Sequence, residues 1–365
     1  MGNGLTVAAV LARVTSGEEL SEAESAYVME AIFTGHATSA QIAGFLVGLK
    51  MRGETVEELV GMARVMRAHS LKLSVDVSDC FDTCGTGGDG AGTFNVSSVA
   101  AVVLAGAGVR VAKHGNRSVS SRSGSADLFE AFGVNIEATP AVVEECLIKA
   151  GIAFCYAPTF HPSMKHAGPT RKELGVRTAF NLLGPLTNPV GVRRQIIGVP
   201  NVDVIELVAT ALLSLGSERV WVVHGAGGLD ELSPIGETEV CEIHQGKLSR
   251  FSIAPRDFGV TPSDLTSLCV GSVSESHKMA ISVLAGEPGP GRDIVLMNAA
   301  AGLLVSGLVD SLADGMKAAR VAIDEGRASA ALDRMVAYSQ NAVSYTHLRA
   351  HETDSYLVCR LLLEK

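Results

Sequence analysis

Aromatic residues are scarce, 5% of 365, so the core has to be built from closely packed aliphatic side chains. No apolar run approaches the roughly 20 residues a membrane-spanning helix needs; the longest stretches from Val99 to Val109. No charged-then-apolar signal peptide opens the chain. The start Met1-Gly2-Asn3-Gly4-Leu5-Thr6 fits a myristoylation pattern, but one short enough to arise by chance. There is no C-x-x-C pair. Cys80, Cys84, Cys146, Cys155, Cys241, Cys269 and Cys359 are scattered, and Cys80 and Cys84 have no second pair to complete a zinc site. Buried, reduced thiols in a cytoplasmic protein are the expectation. Positive charge is also in deficit: 30 Lys and Arg stand against 39 Asp and Glu, a formal net charge of −9. That gives little support to nucleic acid or an anionic membrane as a partner.

What is present reads as globular. Hydrophobic residues make up 47% and charged residues 19%, mean hydropathy is +0.28, and glycine occurs 39 times. The length suits one large or two ordinary domains, and no repeat of roughly 20–50 residues is visible.

The segment before residue 70 is helical throughout. Leu20–Phe33, Ala40–Met51 and Val56–His69 carry apolar residues at three- and four-residue spacing. Ser21 opens a capping box, and Thr38 and Thr55 stand where N-caps belong. From Cys80 onward, short β-branched runs (Val109–Ala112, Ile152–Tyr156, Gln195–Val199, Val220–His224) alternate with helical stretches (Val96–Gly106, Ala126–Phe132, Pro140–Ala150, Val202–Leu215). Such alternation implies a largely parallel sheet with both faces covered. Thr238–His244 and Lys247–Ile253, joined at Gln245-Gly246, read as a hairpin, and residues 272–338 as helices. The expected fold class is α/β: a small helical N-terminal domain, 1–72, and a larger α/β domain, 73–341, with a mostly parallel central sheet flanked by helices. Residues 342–365 fit the preceding helical pattern poorly and read as an extension foreign to the fold.

Three segments carry chemistry. In Asp82-Thr-Cys-Gly85-Thr-Gly87-Gly88-Asp89-Gly90-Ala-Gly92-Thr93-Phe-Asn95-Val96-Ser97-Ser98, a glycine-rich loop runs into a helix. Its backbone N–H groups and the helix dipole suit a phosphate. Gly85-x-Gly87-x-x-Gly90 matches the dinucleotide fingerprint formally, but the following strand ends in Lys113-His114 where an acid is required, and no Gly-Lys-Ser/Thr is present. Neither NAD nor a Walker-type ATP site is supported. Between Asp89 and Asp127 there is no acidic residue at all, while Arg110, Lys113, Arg117 and Arg122 fall there among serines. That composition can hold several phosphate oxygens. A second acid-free zone, Leu174–Val202, contains Arg177 and Asn181, and its Gly184-Pro185 and Asn188-Pro189 pairs predict a rigid turn. An arginine on the helix before that turn can make a two-point contact with a carboxylate. Finally, Leu229-Asp230-Glu231-Leu232 follows a strand ending at His224, and adjacent carboxylates there suit Mg²⁺ on a polyphosphate. The residues alone therefore point to a Mg²⁺-dependent enzyme acting on a phosphorylated small molecule.

Through its GTGGD, KHGNR, GSAD, HPSM, RTAFNLLGPLTNP and LDEL segments the chain resembles the anthranilate phosphoribosyltransferases over roughly residues 5 to 340. The resemblance implies a nucleoside phosphorylase/phosphoribosyltransferase-like fold, a homodimer, and phosphoribosyl pyrophosphate (PRPP) and anthranilate as substrates in tryptophan biosynthesis. It assigns PRPP to Gly85, Gly88, Asp89, Thr93, Asn95, Val96, Ser97, Ser98 and the loop Lys113, His114, Gly115, Asn116, Arg117, Ser118, Val119, Ser120, Ser121, with Ser125 adjoining. Anthranilate falls to Gly85, Asn116 and Arg171, with His114 and His161 lining its approach. Mg²⁺ falls to Ser97, Asp230 and Glu231. No residue is assigned as a general base. Ser98 stands where the family usually has Thr, which keeps the hydroxyl. A pyrimidine nucleoside phosphorylase is the nearest enzymatic alternative, disfavoured by the Lys113–Arg117 and Asn181–Leu186 segments. A non-catalytic nucleic-acid-binding relative is disfavoured by the acidic balance.

Overall fold

The computed structural model describes residues 5–118 and 122–340. The expectations for Gly2, for Val119, Ser120 and Ser121, and for the extension 342–365 lie outside the described residues.

Four helices open the fold: α1 (Val7–Thr15), α2 (Glu22–Phe33), α3 (Ser39–Arg52) and α4 (Val56–Ala68). The last three begin at the expected caps. Ser21, Thr38 and Thr55 each accept the N3 backbone N–H, while Glu24, Gln41 and Glu58 reach back to the cap N–H. Those reciprocal bonds satisfy two of the free donors at each helix start. Helix α1 falls in the segment read as helical but had no bounds from the sequence; it buries only Val10 and Val14, too thin a stripe to register as a period. Glu58 is fully buried, yet its carboxylate accepts from Leu20 N (2.9 Å) and Thr55 N (2.9 Å) and pairs with Arg52.

Beyond the bundle lie strands β1 (Phe81–Asp82), β2 (Val111–Gly115), β3 (Ile152–Tyr156), β4 (Arg194–Gly198), β5 (Arg219–Gly225), β6 (Thr238–His244) and β7 (Lys247–Ile253). They form one sheet in the order β3-β2-β1-β4-β5-β6-β7, parallel from β3 through β5. Strands β6 and β7 add antiparallel at one edge, joined by the expected hairpin at Gln245-Gly246. Between β1 and β3 run α5 (Val96–Gly106), α6 (Ser125–Ala131) and α7 (Pro140–Lys149). Between β3 and β4 come α8 (Ala157–Phe160), α9 (Gly168–Leu174) and α10 (Ala179–Leu186), and α11 (Ile205–Ser214) precedes β5. After β7 follow α12 (Val273–Leu284), α13 (Pro290–Ser306), α14 (Leu312–Asp324) and α15 (Arg327–Ser339).

The alternation of side chains along a strand divides the core. Ile196, Trp221, Val223 and Val240 face α5, α13, α14 and α15. Ile197, Val222, Cys241 and Ile243 face the other way, into a cluster that includes α10, α11 and the N-terminal helices. The bundle thus shares a core with one face of the sheet instead of standing apart from it.

Two expectations need correcting. Gly184-Pro185 is not part of a turn, since Pro185 lies in the last turn of α10. The turn comes only at Asn188, whose Oδ1 accepts from Val190 N (2.9 Å) and whose carbonyl accepts from Gly191 N (3.0 Å). Of the described cysteines, all free, Cys269 is exposed and the other five are buried. Among the described residues no helix is long and apolar enough to cross a membrane.

Candidate active site

Strand β1 has β2 on one side and β4 on the other, so connections leave it in opposite directions. A crevice opens beyond the carboxyl ends of parallel strands at such a point. A cavity of about 640 Å³ lies there, walled by the loops after β1, β2 and β5, by α8–α10, and by Met66 of α4.

Behind the cavity wall lies Asp82, the last residue of β1, which is fully buried. One carboxylate oxygen accepts from Thr83 N (2.7 Å) and His114 N (3.2 Å), the other from Asn188 Nδ2 (2.8 Å). Burial pushes its pKa up, while Lys113 and these hydrogen bonds hold it back. Lys113 donates to Thr83 O (2.6 Å). The tips of β1 and β2 and the turn after α10 are therefore fastened to one carboxylate beneath the glycine loop.

The loop itself is tied from the far side. Thr86 N donates to Gly198 O (2.9 Å). Gly198 tolerates no side chain, because a Cβ would lie 1.5 Å from Asp230 O. That close approach brings Asp230 under the loop, where its Oδ2 accepts from Gly87 N (2.9 Å). Glu231 Oε1 accepts from Ser97 N (3.1 Å) at the start of α5. Burial raises the pKa of both acids; Asp89 raises Asp230 further, and Asp230 raises Glu231. Among the described residues none of the three acids has a cation within ion-pair distance, and no three His, Cys, Asp or Glu side chains form a closed metal cluster. Two carboxylates and the Ser97 hydroxyl make an incomplete set of hard oxygen donors. That fits Mg²⁺, which keeps water and takes substrate phosphate oxygens in its remaining positions.

On the phosphate side the cavity wall includes Gly85, Gly88, Asp89, Thr93, Asn95, Ser97 and Ser98, with Lys113, His114, Gly115, Asn116, Arg117, Ser118 and Ser125 from the loop after β2. The Ser98 and Thr86 hydroxyls are buried with no hydrogen-bond partner. Unmade bonds of this kind cost roughly 1–3 kcal/mol each, which a ligand supplying acceptors recovers. Three of the expected phosphate residues already have partners within the protein. Val96 is fully buried in the core and its N–H goes to Phe94 O. Arg117 pairs with Asp127 (2.9 Å) and Glu130 (2.7 Å) of α6, the first acids after the acid-free stretch. The Asn95 amide donates to Ser123 O (3.0 Å) and accepts from Ser123 Oγ (2.6 Å) and Ser276 Oγ (2.8 Å).

The opposite wall carries Arg171 of α9, largely buried and without a carboxylate partner, its guanidinium 4.7 Å from the Phe180 ring centroid. Burial lowers its pKa. His114 and His161 lie with ring centroids 5.2 Å apart. His114 Nδ1 meets Gly184 O (3.1 Å), but its Nε2 has no partner. The backbone of Met66 and Thr187 lies near His161 without reaching hydrogen-bond geometry, leaving both ring nitrogens unpartnered. Burial takes the two pKa values down to about 3 and about 4, so both rings are neutral at pH 7.

Several residues of the site escaped sequence reasoning. Asn188 and Asn298 are buried connectors; Asn298 of α13 donates to Leu232 O (3.2 Å) and accepts from Leu232 N (3.0 Å), clamping the chain just past Glu231. Asn298 has no local signal for its bonds to Leu232, 66 residues away, and the Asn188-Pro189 turn signal says nothing of the bond to Asp82. Arg177 lines the cavity as well and had a visible signal, its place in the acid-free zone.

The helical segment matches the family described as glycosyl transferase family, helical bundle domain, over residues 8–70, and the remainder matches glycosyl transferase family, a/b domain, over 77–329. A relative from Moorella thermoacetica named anthranilate phosphoribosyltransferase is 47% identical over 333 residues, 91% of this chain and 98% of its own. Its counterpart from Solibacter usitatus is 49% identical over 322 residues, 88% and 95%. The chain belongs to the anthranilate phosphoribosyltransferase family. The crystal structure of the Thermus thermophilus enzyme superposes with a TM-score of 0.85 at 42% identity, covering 91% of this chain and 99% of that one. The Saccharomyces cerevisiae enzyme in complex with PRPP and Mg gives 0.83 at 28% identity, covering 92% and 99%.

Proposed function

We propose that this cavity transfers the phosphoribosyl group of PRPP to the amine of anthranilate. The observation that carries the reading is the pairing, across one cavity, of a glycine loop over unneutralised acids with a largely buried, unpartnered Arg171. In the reaction the ribose C1–O bond to pyrophosphate breaks and its electron pair leaves with the pyrophosphate. The C1–N bond forms, and the amine gives up a proton.

Asp230, Glu231 and the Ser97 hydroxyl would hold Mg²⁺, which would supply positive charge against the leaving pyrophosphate. Gly85, Gly88, Asp89, Thr93, Ser97, Ser98 and the Lys113–Ser121 loop form the donor subsite, with Ser125 beside it. Arg171 and Asn116 orient the acceptor through its carboxylate, and His114 and His161 line its approach as neutral, largely desolvated rings. The arylamine is uncharged at neutral pH, so positioning and charge stabilisation carry the rate, and no general base is assigned. We divide the chain into 1–72, 73–341 and the extension, and take it to work as a cytoplasmic homodimer. Light scattering tests the dimer.

The decisive assay follows loss of anthranilate fluorescence with PRPP and Mg²⁺, with and without EDTA. Metal-dependent decay is expected. No decay from folded protein, and none from a chain ending at Asn341, refutes the acceptor assignment.

A further inference from the structure

Arg171 and Arg177 share an unusual condition. Both line the cavity, both are substantially shielded from solvent, and among the described residues neither has a carboxylate within ion-pair distance. A shielded guanidinium is costly unless its donors are used. Arg67 shows what a structural one looks like here: its Nε donates to Leu186 O (2.7 Å) and its Nη1 to Leu215 O (3.3 Å), at the ends of α10 and α11. Arg177 has nothing comparable, only a long bond from Nη2 to Thr86 O (3.4 Å).

Its position differs from that of Arg171. Arg171 lies over Phe180 on the acceptor wall. Arg177 lies against the glycine loop: a Cβ placed on Gly88 would fall 1.7 Å from its Nη1, and Gly88 has φ +79° besides. The positive φ favours glycine at 88, and the absence of a side chain there lets the guanidinium rest on the loop. Asp230 and Asp89 attract the cation, yet neither is close enough to pair with it. The guanidinium lines the same cavity as the glycine loop it rests on, and its planar fork of donors suits a polyanion with several oxygens.

We propose that Arg177 is a donor-side binding residue whose guanidinium contacts the pyrophosphate oxygens of PRPP. The proposal rests on the functional reading above and extends it, giving each of the two arginines that lack a carboxylate its own anion. Charge grows on the pyrophosphate as the C1–O bond breaks, so the contact strengthens toward the transition state and affects kcat as well as donor KM.

The test combines kinetics with calorimetric titration of inorganic pyrophosphate in the presence of Mg²⁺. For Arg177→Ala, donor KM rises and pyrophosphate affinity falls by about tenfold or more, kcat falls, and anthranilate KM stays within about twofold. Added guanidinium ion restores part of the loss, which a merely loosened loop does not allow. Arg171→Ala shows the reverse split, raising anthranilate KM and leaving pyrophosphate binding alone. If the alanine variant fails to fold, Arg177→Lys keeps the stem and charge but not the planar fork, and a several-fold rise in donor KM is expected. Unchanged pyrophosphate affinity, or a rise in anthranilate KM alone, overturns the assignment. If the wild-type protein does not consume anthranilate, the functional reading falls, while the pyrophosphate titration still decides Arg177.

Discussion

Glu58 in the helical bundle and the Asp230–Glu231 pair beside the cavity are carboxylates deep in one protein, treated in opposite ways. Glu58 receives two backbone N–H groups and a guanidinium. Asp230 and Glu231 receive one backbone N–H each, no cation, and the repulsion of a neighbouring acid. The first arrangement completes a structure. The second leaves bonding capacity unspent, at a cost in stability that only a bound cation removes. The Ser98 and Thr86 hydroxyls and the His161 ring, without hydrogen-bond partners among the described residues, and the two arginines, without a carboxylate at ion-pair distance there, extend the same contrast.

The sharpest way to break that comparison is Asp230→Asn with Glu231→Gln. Activity falls on the order of 10³-fold or more and the response to Mg²⁺ disappears. The metal-free variant nevertheless melts at a higher temperature than the wild type. Both folded pKa values are raised, so the acids begin to burden the fold as pH rises above the unfolded value, near 4, and burden it in full above the folded values. The advantage is therefore largest at pH 8 and shrinks toward pH 4. A variant less stable than wild type at pH 8 without metal removes the contrast.

Glu58→Ala probes the other side. It strands Arg52 and the N–H groups of Leu20 and Thr55, and a broken buried pair costs about 3–5 kcal/mol. Urea unfolding reads that loss, while both KM values of the folded fraction stay unchanged. A shift in either KM ties the bundle to the site more directly than their shared core requires.

How far the sequence reached follows the same line. The four parallel strands it marked, the hairpin and three capped helices were legible because their signals are local: a period, a cap three residues from its partner, a turn pair. The glycine loop and the acid pair were legible because the chemistry needs contiguous residues. Strand β1 was not, since two residues, Phe81 and Asp82, carry no period and form a strand only because β2 and β4 flank them. Pro185 misled because its effect depends on where a helix ends. Arg117 lines the cavity, but its pairing with Asp127 and Glu130, ten and thirteen residues on, depends on how the loop folds back on α6. Asn298 and Asp82 act through partners that only the fold brings near.

The smallest expected effect is also the most specific to the cavity. If His114 and His161 belong with the unspent groups, their rings stay neutral well below the ordinary histidine pKa of about 6.5, because burial lowers them to about 3 and about 4. A pH titration of their imidazole NMR signals in the ligand-free protein then shows no protonation step between pH 8 and 5. The thermodynamic sign follows. A histidine depressed in the fold leaves stability intact above about pH 6.5 and withdraws it as pH falls toward the folded value, since the unfolded chain takes up the proton first. His161→Phe removes one such group, so the variant loses less stability than wild type between pH 6.5 and 5, by at most about 2 kcal/mol at 1.36 kcal/mol per pH unit. A ring that titrates near 6.5 places water or a carboxylate beside it, and the acceptor wall is then as solvated as the donor wall is charged.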